Sequence, residues 1–156
     1  MNPFLSGEIA SRLRQFQIID RQAASLKGIM IPNPESGFES ESFVTIKSVE
    51  DTEFDFLITT MGVEIYAYYS KILRKVQNAF VPMGRIEFFQ KNRDPRIVDV
   101  FDGENLLEIE FSANGNFQIF DDYLNCSPSR DRIGMTRDVI VTQVTEALHR
   151  KIFDDG

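Results

Sequence analysis

Apolar side chains at Leu5, Ile9, Leu13 and Phe16 recur at three- and four-residue steps behind an Asn2-Pro3 start, a cap followed by a first-turn proline. This predicts an amphipathic N-terminal helix over 3–27, stopped at Gly28, with Arg12, Arg14 and Arg21 on its other faces. The helix is expected to pack on the domain, and one of this length also suits dimerisation. Beyond GIMIP the periodicity lapses. Residues 32–42 set Pro, Gly, Ser and Glu around Phe38 and hold too little apolar area to offset the entropy of ordering, so they read as a mobile acidic loop. Phe38 is the one residue there that a partner would capture.

The remainder, 43–153, reads as a sheet-and-helix core. FVTIKSVE (43–50) and EFDFLITT (53–60) alternate apolar with polar and are joined at Asp51-Thr52, predicting a hairpin with Phe54, Phe56 and Ile58 pointing one way. The next segment, GVEIYAYYSKILRKVQNAF, looks strand-like locally, yet Ile65, Tyr69, Ile72, Leu73, Val76 and Phe80 keep helical spacing. That spacing predicts a helix over 63–80, ended before Pro82 and Gly84. RIEFFQK (85–91) is a strand and NRDP a turn. Ile140, Val144, Leu148 and Ile152 recur every four residues in a C-terminal helix, with Arg150 and Lys151 near its end, where the helix dipole favours them. The order α-β-β-α-β-β-β-β-α defines a single α+β domain, an antiparallel sheet of about six strands packed on one face by helices.

Between Val98 and Tyr123 carboxylates alternate with apolar residues, and the register that keeps apolar residues on one face arranges them. A four-residue connection at Asp102–Asn105 pairs Val100 with Leu107 and Val98 with Ile109, setting Asp99 opposite Glu108. A three-residue turn at Ala113–Gly115 pairs Phe111 with Phe117 and Ile109 with Ile119, and sets Gln118 opposite Glu110. The result is a stripe of Asp99, Glu108 and Glu110 on the face away from the core. Directly opposed like charges destabilise an antiparallel pair. The stripe therefore calls for screening, a basic side chain such as Lys91 or Arg96, a divalent cation, or a basic partner.

Composition narrows the function. A 156-residue chain is long enough to bury a core unaided, and 24 acidic against 17 basic residues give a net charge of −7, which disfavours direct nucleic-acid binding. The single Cys126 excludes an intramolecular disulfide and a cysteine zinc cluster. His149 is the only histidine and reads as an exposed helix-end residue. No apolar run reaches 18 residues and the start lacks signal-peptide character, so the expectation is no membrane span and a cytoplasmic location. No nucleophile elbow or phosphate-cradling glycine loop is present, and SPSRDR (127–132) reads as a helix-entry loop. Tyr66 and Tyr68, followed by Lys71, Arg74 and Lys75, have the mixed composition of an interface.

The element order, acidic charge and small size are similar to those of type III secretion chaperones and related α+β binding domains, a likeness of fold that implies protein binding. The expected function is a non-enzymatic acidic protein-binding or assembly protein (chaperone, adaptor, inhibitor or structural subunit), self-associating, with no cofactor and with another protein of basic surface as partner. Its candidate partner-binding residues are Asp99, Glu108, Glu110, Tyr66, Tyr68, Lys71, Lys75 and Phe38. The first alternative is a metal-dependent phosphoesterase or nuclease-like hydrolase, with Asp99, Glu108 and Glu110 as hard ligands for Mg²⁺ or Mn²⁺. Against a PD-(D/E)XK nuclease, the strand reads Glu108-Ile109-Glu110 and lacks the lysine. A further alternative is a nucleic-acid mimic whose carboxylates imitate phosphates.

Overall fold

The computed structural model describes residues 7–31, 37–39, 44–50, 52–91, 101–113, 117–119, 122–126 and 133–154. Two helices, α1 (Gly7–Met30) and α2 (Ile133–Asp154), bracket eight strands. These are β1 (Phe38–Glu39), β2 (Thr45–Ser48), β3 (Phe56–Thr60), β4 (Val63–Val76), β5 (Ala79–Lys91), β6 (Phe101–Ser112), β7 (Phe117–Ile119) and β8 (Asp122–Cys126). They form one antiparallel sheet in sequence order, so each strand pairs with its chain neighbours. The class is α+β, as the patterning predicts, with two described helices and eight strands where three helices and about six strands are expected.

Strand alternation sorts the side chains. Cross-strand rows Ile46–Ile58–Ile65, Phe56–Ala67–Phe88–Leu107 and Tyr69–Ile86–Ile109 lie on one face. Every one of these residues is buried, in one cluster with Ile19, Leu26 and Met30 of α1 and Ile140, Val144 and Leu148 of α2. Both helices thus cover the same face, α1 packing chiefly along β5 and α2 along β6.

The predicted helix over 63–80 is instead β4, a tight turn and the start of β5. Fourfold spacing of Ile65, Tyr69, Leu73 and Val76 coexists with a twofold alternation of Val63, Ile65, Ala67 and Tyr69, and the second is the one buried. A segment rich in Val, Ile and Tyr favours the pleated backbone. Met61-Gly62 closes the β3–β4 hairpin with φ of 53° and 73°, the geometry of a type I′ turn. Pro82, which reads as a helix terminator, sits within β5, and its buried ring faces the helices. Its missing N–H points toward the β6 side, just beyond the last β5–β6 pair, Met83↔Ser112.

Helix α1 runs through Gly28 to Met30, and the Ile31 N–H still donates to the Lys27 carbonyl at 2.8 Å. Burying Ile29, Met30 and Ile31 outweighs the ~1 kcal/mol that glycine costs in a helix. Residues 101–112 are one continuous strand, so the Asp102–Asn105 connection is not a turn. Val98, Asp99 and Val100 lie outside the described residues, and β5 takes the place they would have held: Phe88 pairs with Leu107, Glu87 with Glu108 and Ile86 with Ile109. The long apolar alternation of β5 offers a longer ladder than a hairpin arm ending at 98. The β6–β7 register is as predicted, Phe111↔Phe117, Glu110↔Gln118 and Ile109↔Ile119.

Candidate partner-binding surface

The sheet face opposite the helices carries Tyr68–Glu87–Glu108 and Ser70–Arg85–Glu110–Gln118 as adjacent cross-strand rows. Three carboxylates so close require positive charge, and two arginines supply it. Arg85 Nε lies 2.9 Å from Glu108 Oε1, and Arg85 Nη2 lies 3.4 Å from Glu110 Oε1. Arg74 reaches across from the next but one row to bond the same Glu110 oxygen. Glu110 is buried to 3% exposure beneath these guanidinium groups. Glu87 accepts from Asn105 Nδ2 at 3.1 Å. Of the two basic side chains expected beside the stripe, Lys91 pairs instead with Glu64 at 3.0 Å and Arg96 lies outside the described residues; Arg85 and Arg74 hold Glu108 and Glu110.

Burial raises the pKa of Glu108 against the lowering effect of Arg85, with Glu110 and Glu87 adding to the rise. Glu108 and Glu110 are therefore held by arginines that would repel a cation. Among the described residues no group of three metal-ligating side chains occurs, and Asp99 lies outside them.

The predicted binding residues separate into distinct places. Tyr66 lies on the open face with Glu108 and Glu110, but its hydroxyl donates to Asp55 Oδ2 at 2.7 Å, and burial first, then this bond, pushes its pKa upward. Asp55 Oδ1 also accepts the Tyr69 N–H at 3.0 Å. Asp55 thus caps the β4 ladder where β3 ends, since Phe56↔Ala67 is the last pair. Tyr68 is exposed. Lys71 and Lys75 point to the opposite, helix-covered side. Lys71 Nζ is 3.3 Å from Asp20 Oδ2, and Asp20 Oδ1 accepts the Tyr69 hydroxyl at 2.7 Å. Phe38 lies in edge strand β1, paired with Ile46, and no contact of its side chain is described.

A feature not foreseen from sequence is a projecting ribbon. β4 loses its β3 partner after Ala67 and β5 loses β6 after Met83, but β4 and β5 stay paired to Val76↔Ala79. Beyond the sheet this two-stranded tip exposes Leu73 (47%), Val76 (50%) and Phe80 (50%). Full burial on α1 likewise stops at Ile19, whose side chain lies over Gly84; N-terminal to it Phe16 is partly buried against the core, and Ile9 (43%) and Leu13 (50%) are exposed. Residues 69–83, YSKILRKVQNAFVPM, contain basic side chains and no acidic one, in a chain of net charge −7. That acid-free run was the available sequence signal for the ribbon.

Comparison with known proteins finds no family model that matches the chain, no curated protein that matches its sequence and no solved structure that matches its fold. The likeness in element order to secretion chaperones rested on a central helix that the structure replaces with strands. Fold and surface define an α+β protein with a one-sided antiparallel meander and a projecting basic, apolar ribbon. No described helix is long and apolar enough to cross a membrane.

Proposed function

We propose that the chain is a non-enzymatic protein-binding or assembly protein, acting as a chaperone, adaptor, inhibitor or subunit of a larger complex and able to self-associate. The observation that carries this reading is the ribbon: Leu73, Val76 and Phe80 are half exposed on an element that projects beyond the sheet. Apolar groups gathered on a projection, rimmed by Lys71, Arg74 and Lys75, have the make-up of an interface and not of a catalytic site. The open sheet face supports the same reading, because Glu108 and Glu110 are engaged by Arg85 and Arg74.

The test is site-specific photocrosslinking in cells, with a photoreactive phenylalanine analogue at Phe80, at Leu13 and at the exposed control Ser25. Discrete adducts at Phe80 and Leu13 but not at Ser25, to a partner or to a second copy, are the expected result. Equal labelling at all three positions would overturn the reading.

A further inference from the structure

We infer that the free edge of β4 is a docking site for an extended acidic segment of a partner protein, which joins the sheet as an added antiparallel strand beside Lys71, Leu73 and Lys75. This deepens the protein-binding reading and rests on it.

The hydrogen-bonding direction along β4 follows from its two hairpins. Thr60↔Val63 closes the β3–β4 turn, so the N–H and C=O of Val63, and of every second residue after it, point toward β3. The Tyr69 N–H obeys this rule by donating to Asp55. Lys71, Leu73 and Lys75 continue the series past the end of β3, and no described backbone group pairs with them on that side. The opposite edge of the ribbon is different. There Pro82 removes the donor that a fresh strand would need. The ribbon therefore presents one edge competent for strand addition and one that is blunted.

Side-chain placement gives the chemistry of the occupant. Lys71, Leu73 and Lys75 share one face, so a strand laid antiparallel against them meets lysine, leucine and lysine in turn. Acidic residues at positions i and i+4 with an apolar residue at i+2 would match. Asp20 faces Lys71 from α1 at 3.3 Å and takes up part of its charge, while Leu13 on the same helix is exposed. Arg74 is turned to the other face by Glu110 and does not enter this match. A second copy of this edge is a poor occupant. The one register that pairs Lys71, Leu73 and Lys75 entirely with each other's copies sets Lys71 against Lys75 twice. Lysines on an edge also guard it against self-pairing, and an acidic strand is the partner that guard admits.

The probe is a fluorescent, end-blocked peptide, Thr-Glu-Thr-Leu-Thr-Glu-Thr, titrated with the full chain and read by anisotropy. Saturable binding is expected, weakened at least tenfold by Lys71→Glu with Lys75→Glu, by lysine in place of both peptide glutamates, and by N-methylation of the peptide leucine. N-methylation of a threonine next to that leucine, whose N–H points away from β4, should leave binding intact. Leu73→Pro removes an outward donor without breaking the β4–β5 ladder and should abolish binding. Unchanged amide spectra of residues in β6 and α2 establish that the variants remain folded. Absence of binding, binding indifferent to leucine N-methylation, or a dimer in light scattering that the peptide cannot compete with would each overturn strand addition. Ribbon-specific crosslinks at Phe80 with no peptide binding would overturn this inference alone, whereas equal labelling at Phe80, Leu13 and Ser25 would remove the protein-binding reading beneath it.

Discussion

Gly84 is absent from any turn, yet no other residue fits its place. A Cβ there would overlap the Phe111 ring and come within 2.9 Å of Ile19 Cγ2, so the missing side chain is the seat on which α1 meets the sheet. Gly84→Ala should therefore destabilise the fold by ~1–3 kcal/mol, the cost of overpacking, read as a lower denaturant midpoint at unchanged slope. Glu108 behaves differently. Because burial raises its folded pKa, the folded chain binds its proton more tightly than the unfolded chain, and this residue's contribution to stability falls as pH rises from about 4.5 through the folded value. Glu108→Gln should remove that dependence, with the melting temperature of the variant gaining on the parent's as pH is raised through the window. A constant difference from pH 4 to pH 8 would refute the assignment. Glu110 is the contrasting case: Glu110→Gln leaves Arg74 and Arg85 without their shared carboxylate. Since Arg74 is 39% exposed, the loss should fall below the ~3–5 kcal/mol of a fully buried pair, on the order of 2 kcal/mol by chemical denaturation.

At the scale of elements, the β6–β7 register was legible because it is local, whereas the stop expected at Gly28 was not, because burial of Ile29, Met30 and Ile31 carries α1 past it. The Phe111/Phe117 match fixes that register within a few residues of chain. The 63–80 segment was not legible, because its apolar residues satisfy two periods and only the neighbours β3 and β5 choose between them. Its hairpin signals were also weak. Met61 occupies a left-handed conformation that Asn or Gly adopts with less strain. Met61→Asn should stabilise the β3–β4 hairpin by a few tenths to ~1 kcal/mol, measured as a rise in the unfolding midpoint. Pro82 misled for a related reason: in sequence it ends helices, while here it sits where a strand can spare its donor. The Asp102–Asn105 turn failed because a register argument confined to nearest neighbours in sequence omits the longer competing strand β5.

For the whole molecule, the consequence is an uneven distribution of charge and burial. An acidic chain places an acid-free, half-exposed ribbon outside its core, and groups that do not support the fold can be changed without unfolding it. Leu13→Ser with Phe80→Ser should leave the melting temperature within about the ±0.5 kcal/mol equivalent of ordinary surface changes. The same pair should abolish self-association, followed by light scattering. Pattern and composition by themselves determined the α+β class, the terminal helices, the one-sided sheet and the presence of a carboxylate stripe, since these depend on periodicity and composition along the chain. Tertiary structure decided that Arg85 and Arg74 hold Glu108 and Glu110, that 63–80 is strand, and that β4 and β5 outrun their neighbours. Each of those depends on which distant segment lies alongside and where its pairing stops, and the burial and hydrogen bonds that settle this exist only once the chain has folded.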